Sequence, residues 1–143
     1  AAAAIRPDTV TAPLLDAKQG HIYVAFYRNS SPAPLLAPAP LTEYLALKPP
    51  QVAAEAVRLT EDKCLTVCGD GVALCREELI AAGLKVVELP SWYSMPRASI
   101  LGRLAAQRLA AGESQNVATA QPLYVRRAAA ELAREAKRND CTF

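Results

Sequence analysis

The chain has 143 residues, of which 52% are hydrophobic and 21% are charged, with a formal net charge of +2. One domain is expected at this length, and the apolar share predicts a globular rather than a disordered chain. The net charge is too small to predict nucleic-acid binding from long-range electrostatics, and no apolar run approaches the length of a membrane span.

The first two strands are the clearest elements in the sequence. Thr9 to Ala17 and His21 to Arg28 flank Lys18-Gln19-Gly20, where the glycine can adopt a positive φ and close a bulged hairpin. Both faces of the second strand are apolar, so we expect it to be covered on both sides. Asp16 is expected to organise the turn through its side chain, with metal or substrate binding as the alternative.

The next stretch is rich in proline and predicts weaker elements. Leu35 to Ala37 is a candidate edge strand, because four prolines surround it. Leu41 to Leu47 is a candidate for one or two helical turns. Pro49-Pro50 then opens a helix through Leu59, since proline is tolerated in a first helical turn. Its expected buried stripe consists of Val52, Ala53, Ala56 and Leu59.

Strands and helices then alternate along the chain. The predicted strands are Cys64 to Cys68 and Leu84 to Leu89, and Pro122 to Arg126 is a short extended piece. The predicted helices are Val72 to Ala82, which ends at Gly83, the segment from Ser94-Met95-Pro96 to Ala111, and Ala128 to Lys137. The inward residues are expected to be Val72, Cys75, Leu79 and Ala82 in the first helix and Leu101, Leu104, Ala105 and Leu109 in the second.

The resulting order is β-β-β-α-β-α-β-α. It predicts an α/β fold with a mixed sheet and helices on its faces. This is the element order of an actin-like or ribonuclease-H-like lobe. A fold alone does not define a function, so the reactive residues have to be considered separately.

Reactive side chains are sparse. His21 is the single histidine, which excludes a histidine pair for zinc, and we interpret it as a strand-edge residue. Cys64 and Cys68 would lie roughly 13 Å apart on one strand, from a rise of about 3.3 Å per residue. That is too far for one zinc ion, so a structural role is expected for them. We therefore expect no catalytic residue and no metal site.

Gly69-Asp70-Gly71 is the most informative local motif. It lies between a predicted strand and a helix N-terminus, where backbone N–H groups and the helix dipole can hold an anion. Gly69, Asp70 and Gly71 are therefore candidate nucleotide-binding residues. The alternative is a tight turn in which Asp70 satisfies amides at the helix start. The longer phosphate-loop pattern G-x-x-x-x-G-K-[ST] is absent.

Two further segments are open to more than one interpretation. The C-terminal stretch is basic and is interpreted as a solvated helix face, with a tRNA-contacting patch as the alternative. Its basic residues are Arg126, Arg127, Arg134, Lys137 and Arg138. Trp92 and Tyr93 precede a helix, and we interpret them as a hydrophobic plug rather than a stacking platform.

The compartment and the extent of the chain are also expectations. The cysteines, which are Cys64, Cys68, Cys75 and Cys141, are not spaced as a disulfide framework, so a cytoplasmic, reducing compartment is expected. Ala1 to Ala4 are not preceded by an initiator Met or followed by the pattern of a signal peptide. We expect either a fragment of a longer protein or a processed product.

Four segments together resemble the C-terminal half of the TsaB (YeaZ-like) family. Leu14 to Tyr27 is similar to a hairpin of the type DAR-x-x-E-V-Y, although His21 stands where the family often has an acidic residue. The other three are Gly69-Asp70-Gly71 after an apolar strand, the helix from Ser99 to Ala111, and Pro122 to Arg126, which is similar to P-x-Y-L-R. The resemblance covers residues 5–127 as an actin-like lobe and leaves 128–143 as a C-terminal helical tail.

The resemblance implies a non-catalytic scaffold subunit. Such a subunit pairs with a TsaD-like catalytic subunit and a TsaE-like ATPase to install threonylcarbamoyladenosine in tRNA, which it contacts only indirectly. No cofactor of its own is implied, although ATP or ADP can be present in the complex, and a homodimer is a further expectation. The alternatives are a lobe of an ATP-dependent kinase on the same fold and a glycoprotease-like peptidase. The family's N-terminal half, which supplies most of the contact with the catalytic subunit, has no match here.

Overall fold

The structure is a computed structural model that describes residues 9–28 and 39–125. These ranges form a mixed α/β fold, which confirms the predicted class. The strands are β1 (Val10–Asp16), β2 (Ile22–Val24), β3 (Tyr27–Arg28), β4 (Ala39–Pro40), β5 (Leu45–Leu47), β6 (Cys64–Cys68) and β7 (Lys85–Glu88). The helices are α1 (Pro49–Leu59), α2 (Val72–Ala81) and α3 (Ala98–Ala110), with a short 3-10 helix at Ser91–Tyr93.

The predicted hairpin is confirmed, and its second strand is split. β1 pairs antiparallel with β2 and with β3 in one continuous register, in which Leu14 faces Val24 and Thr11 faces Tyr27. That register brings Pro13 opposite Ala25, at the gap between β2 and β3. The gap occurs there because proline has no N–H to donate to the ladder.

The predicted helical turns at Leu41 to Leu47 are wrong. β5 pairs antiparallel with β2, and β4 pairs antiparallel with β3, so this segment forms an edge strand. Residues 41–44 bulge out of it and are anchored by Phe26, whose N–H donates to Thr42 Oγ1 and whose carbonyl accepts from the Leu41 N–H. Pairing with a distant strand therefore overrides local helix propensity. The predicted strand at Leu35 to Ala37 lies outside the described residues.

A parallel part of the sheet follows. β6 pairs parallel with both β1 and β7, so these three strands end at the same edge of the sheet. β6 has the predicted bounds, and β7 is one residue shorter at each end than predicted. The parallel strands place the loops after Asp16, Cys68 and Glu88 side by side.

One face of the sheet carries the core, and α1 and α2 cover it. The buried helix residues are Val52, Ala53, Ala56, Val72, Cys75 and Leu79, in agreement with the predicted stripes. They face buried strand residues that include Ala12, Leu14, Ile22, Val24, Phe26, Leu65 and Val67. Gly83, at φ +80°, ends α2 as predicted.

The predicted packing of α3 is wrong. The helix forms near its predicted position, but none of its residues is buried, and the four residues expected to point inward, Leu101, Leu104, Ala105 and Leu109, are exposed. Covering of β2 and β3 on both sides is accordingly incomplete, since Tyr23 and Tyr27 stay half-buried. A hydrophobic stripe shows that a helix face needs cover, but it does not specify the covering surface.

The remaining predictions have mixed outcomes. Trp92 is 61% exposed, so its interpretation as a hydrophobic plug is wrong. Residues 122–125 belong to no strand, and Arg126, the basic stretch, the helix at Ala128 to Lys137 and Cys141 lie outside the described residues. Within residues 9–28 and 39–125, none of the helices combines the length and the hydropathy that crossing a membrane requires.

Candidate functional site

The carboxyl ends of β1, β6 and β7 define the candidate site. Ligands of α/β proteins bind preferentially at this edge of a parallel sheet. Three loops meet here: the hairpin turn after Asp16, the turn Gly69-Asp70-Gly71 after β6, and the 3-10 helix after β7. The three candidate nucleotide-binding residues are therefore at the edge where a ligand site is expected.

The Gly69-Asp70-Gly71 turn packs directly against the end of β1. Gly69 has φ +111°, and a Cβ at this position would lie 2.1 Å from the Leu14 carbonyl oxygen. The Gly71 N–H donates to the same oxygen at 2.9 Å, and a Cβ at Gly71 would lie 3.0 Å from the Leu14 carbonyl carbon. Glycine at Gly69 is therefore required by the close approach of two backbone segments, independently of any ligand, and a side chain at Gly71 would be tightly crowded by the same segment.

Asp70 also contacts β1. Its Oδ1 accepts the Asp16 N–H at 3.0 Å, across 54 positions of sequence. Asp70 satisfies a backbone amide, as the tight-turn interpretation predicts, but that amide belongs to Asp16 and not to the helix start, where Gly71 is the N-cap of α2 and no side chain caps the helix. The carboxylate instead joins the turn to the end of β1.

Ser94 connects the third loop to the same turn. Its Oγ accepts the Gly69 N–H at 3.3 Å. The amides of Gly69 and Gly71 thus both donate to groups of the protein itself. An anion bound at this turn would compete with Ser94 Oγ and with the Leu14 carbonyl, and nucleotide binding by Gly69, Asp70 and Gly71 stays a prediction.

The hairpin turn is organised by Asp16, as predicted. Asp16 Oδ1 accepts the Lys18 N–H at 2.8 Å, and Oδ2 lies 2.6 Å from Lys18 Nζ. The hydrogen bonds from Lys18 lower the pKa of Asp16, and the same carboxylate raises the pKa of Lys18. Lys18, Gln19 and Gly20 all have positive φ, at 62°, 54° and 72°, whereas the sequence indicated only the glycine. The carboxylate therefore supports a backbone conformation that lysine rarely adopts.

The described cysteines and the histidine lack the surroundings of reactive groups. Cys64 and Cys75 are buried free thiols and Cys68 is half-buried, as a structural role predicts. Burial, with a smaller contribution from Glu78, raises the pKa of Cys75 to about 11, and burial also raises the pKa of Cys68. Such thiols are protonated and weakly nucleophilic at neutral pH. His21 Nδ1 lies 3.0 Å from the Gln19 carbonyl oxygen, within its own turn.

Metal ligands are not clustered in the described ranges. Residues 9–28 and 39–125 contain no group of three or more His, Cys, Asp and Glu side chains arranged to hold a metal ion. The carboxylates at the candidate site are Asp16 and Asp70, and each accepts a hydrogen bond from a backbone N–H.

A second feature, which the sequence did not indicate, is a hollow on the face of the sheet opposite α1 and α2. Its volume is 330 Å³, and it is lined by Pro13, Leu15, Tyr23, Val24, Ala25, Tyr27, Tyr44, Leu123, Tyr124 and Val125. Burial and the neighbouring Tyr44 raise the pKa of Tyr27. The hollow was not predicted because its tyrosines are far apart in the chain, and the bulge that presents Tyr44 was expected to be helical.

Comparison with known structures identifies a fold relative. The crystal structure of an uncharacterized protein from Pseudomonas aeruginosa, described as similar to the peptidase YeaZ, matches with a TM-score of 0.60 and 22% sequence identity. The match covers 83% of this chain and 50% of that one, so this chain spans half the length of the Pseudomonas protein. The chain therefore has a YeaZ-like fold. No protein-family model and no curated protein matches the sequence.

Proposed function

We propose that this chain is the C-terminal, actin-like lobe of a TsaB-type subunit, which takes part in tRNA modification without a catalytic site of its own. The YeaZ-like fold supports the kinship, and the sequence resemblance supplies the family. In this proposal the subunit works in the cytoplasm with a TsaD-like catalytic subunit and a TsaE-like ATPase. The complex installs threonylcarbamoyladenosine in tRNA, which the lobe contacts indirectly.

One observation carries the proposal: two segments that resemble the family bind each other rather than presenting reactive groups. The hairpin and the Gly69-Asp70-Gly71 turn are joined by the bonds from the Gly71 N–H to the Leu14 carbonyl and from the Asp16 N–H to the Asp70 carboxylate. Their distinctive residues, a turn glycine and an aspartate, are explained by these contacts. These residues hold two backbone segments together and take part in no reaction, which is the role expected of residues in a scaffold.

The proposal also includes nucleotide binding at the turn Gly69-Asp70-Gly71. The turn lies at the carboxyl edge of the parallel strands, where nucleotides are bound in many α/β proteins. ATP or ADP contact at Gly69, Asp70 and Gly71 would add a ligand to the scaffold role. Such contact would be formed in the assembled complex rather than by this lobe alone.

Two enzymatic functions are weaker candidates. The description of the Pseudomonas protein as peptidase-like suggests a glycoprotease-like peptidase, and the element order also suits a lobe of an ATP-dependent kinase. A peptidase would depend on His21, whose ring is held by the Gln19 carbonyl in the hairpin turn, or on thiols whose pKa is raised. The scaffold role requires neither.

The test uses the natural full-length protein that contains this chain. The tagged protein is purified from its host, and co-purifying proteins are identified by mass spectrometry. Threonylcarbamoyladenosine in bulk tRNA is measured by liquid chromatography and mass spectrometry after depletion of the protein. We expect the TsaD-like and TsaE-like proteins to co-purify and the modified nucleoside to decrease. Recovery of neither protein, with unchanged tRNA modification, would contradict the proposal.

A further inference from the structure

A groove of 1210 Å³ lies between α3 and the strands β3 and β4. On the helix side it is lined by Leu101, Leu104, Ala105 and Arg108, which follow the spacing i, i+3, i+4, i+7 of one helix face. We call these four residues the α3 stripe. The other side consists of Tyr27, Pro40 and the 41–44 bulge, and residues 123–125 complete the lining. The groove therefore separates two largely apolar surfaces.

Both sides of the groove lack cover within the described residues. α3 has 13 residues and none of them is buried, and Leu101 is 71% exposed. On the other side, Tyr44 is 60% exposed. Isolated helices below about 12–15 residues are only marginally stable in water, so α3 needs a covering element. One element placed in the groove would cover both sides.

The chain itself leads from the groove into a segment that can fill it. Leu123, Tyr124 and Val125 line the groove, and residues 126–143 continue from there, outside the described residues. The sequence predicts a helix at Ala128 to Lys137. Ala128 is three positions after Val125, a separation that extended backbone spans in about 11 Å at most. Such a short tether keeps the effective concentration of the helix at the groove high.

The predicted helix has an apolar side that matches the α3 stripe. Ala129, Leu132, Ala133 and Ala136 follow the same spacing i, i+3, i+4, i+7, and we call them the tail stripe. Its alanines allow the axes of two helices to approach closely. A helix of ten residues is about 15 Å long, and at a diameter of about 10 Å it occupies roughly 1,200 Å³. The predicted helix is therefore comparable in size to the groove.

Charge favours one direction of the helix in the groove. Among the described lining residues, the charged ones are Glu43 in the bulge and Arg108 on α3. At about 3.6 residues per turn, Glu135 and Lys137 flank the tail stripe on opposite sides. One direction brings Glu135 to Arg108 and Lys137 to Glu43. The reverse direction places like charges together at both positions, which is unfavourable.

Arg108 can exchange its present partner for Glu135. It reaches Glu113 at 3.7 Å, but both side chains are largely exposed, so this pair contributes little stability. We propose that residues 126–143 dock as a helix in the groove of the same chain, with the tail stripe on the α3 stripe and Glu135 beside Arg108. The docked helix covers α3 and the bulge. This docking does not depend on the proposed scaffold function.

Hydrogen–deuterium exchange of the full chain, followed by mass spectrometry, tests the docking. We expect the amides of α3 to be protected, and to the same extent at every protein concentration, because the contact lies within one chain. Leu132→Asp places a charge in the contact. It should raise the exchange rates of the α3 amides by about tenfold or more, the factor that corresponds to the burial of one leucine side chain.

Two glutamates of the predicted helix give a matched pair of variants. Glu135→Arg places like charges together at Arg108 and should raise the exchange rates of α3. Glu131→Arg makes the same change on the side of the helix away from the tail stripe, and should leave these rates unchanged. The amides of α2, which packs on the core, report whether each variant is folded.

Charge exchange makes the test specific for Glu135 and Arg108. Arg108→Glu alone should raise the exchange rates of α3, and the double variant Arg108→Glu/Glu135→Arg should return them to the wild-type values. Three results would each overturn the proposal. They are α3 amides that exchange equally fast in the wild type and in Leu132→Asp, protection that increases with protein concentration, which indicates a second copy in the groove, and a double variant that does not regain protection.

Discussion

Gly69 lies against Leu14 so closely that any side chain at Gly69 would overlap the Leu14 carbonyl oxygen, with a Cβ only 2.1 Å away. This contact connects the end of β1 to the turn before α2. The turn that looks like an anion-binding loop in the sequence is therefore also the joint between the hairpin and the parallel part of the sheet.

Replacing Gly69 tests this joint. Gly69→Ala forces both a backbone clash and a left-handed φ of +111° on a residue with a side chain. We expect it to lower the free energy of unfolding by about 2–5 kcal/mol, from overpacking and backbone strain together. Gly83→Ala is the matched control, because Gly83 has φ +80° but nothing within 4 Å of its Cβ position. The control should cost about 1–2 kcal/mol. Urea denaturation gives the free energy of unfolding of both variants. Equal losses in the two would contradict the close contact between Gly69 and Leu14.

The ion pair in the hairpin turn predicts a dependence of stability on pH. The pKa of Asp16 lies below its usual value of 3.8, so the folded state favours the carboxylate. Its stabilising contribution is present above that usual value and is lost as the pH falls through the lowered pKa. Asp16→Asn should therefore be less stable than the wild type at pH 7, and the difference should shrink below pH 3.8. Denaturation curves at both pH values check this, and a constant difference would contradict the assignment.

Because its thiol is buried, Cys75 is expected to react slowly with alkylating reagents. Its pKa of about 11 leaves almost no thiolate at pH 8, and the side chain is fully buried. Iodoacetamide should leave Cys75 unmodified in the native protein at pH 8 and alkylate it in denaturant, as peptide mapping by mass spectrometry would show. Because the folded pKa is raised, stability should also decrease as the pH rises from 9 towards 11. Rapid native alkylation would show that the site is open.

The two sides of α2 predict different costs for the same substitution. Leu79 is fully buried in the core, whereas Leu74 is half-exposed on the outward side. Leu79→Ala should reduce the free energy of unfolding by about 2–5 kcal/mol, because it removes buried apolar surface and leaves a cavity. Leu74→Ala should change it by less than about 1 kcal/mol. Thermal or urea denaturation distinguishes them, and similar losses would mean that the helix is rotated from this orientation.

Ser94 offers a test of nucleotide contact at the turn. Its Oγ accepts the Gly69 N–H, one of the amides that a phosphate would use. Ser94→Ala frees that amide, so ADP should bind about fivefold more tightly, which corresponds to one hydrogen bond of about 1 kcal/mol. Isothermal titration calorimetry of the proposed complex measures the change, with Ser91→Ala as the control. Weaker binding by Ser94→Ala would show that Oγ assists the ligand instead of competing with it.

Much of the secondary structure follows from local pattern. Pro49 at a helix start, the apolar spacing of α1 and α2, and Gly83 after α2 each act through neighbouring residues, so these elements and their inward faces can be predicted from the amino-acid pattern. The hairpin was equally predictable, because its turn lies between two apolar runs. The α/β class that these elements predict agrees with the YeaZ-like fold, whereas the predicted order with three leading strands does not, because five strands of the described residues precede α1.

Other features depend on partners that are distant in the chain, so local pattern does not predict them. Leu45–Leu47 is a strand because β2 pairs with it, and the turn at Gly69 contains glycine because β1 passes against it. The apolar pattern of α3 correctly predicts a helix, but the residues expected to point into the core are exposed. Periodicity along a chain records which side of an element needs an apolar neighbour, whereas the identity of that neighbour depends on contacts between residues far apart in sequence.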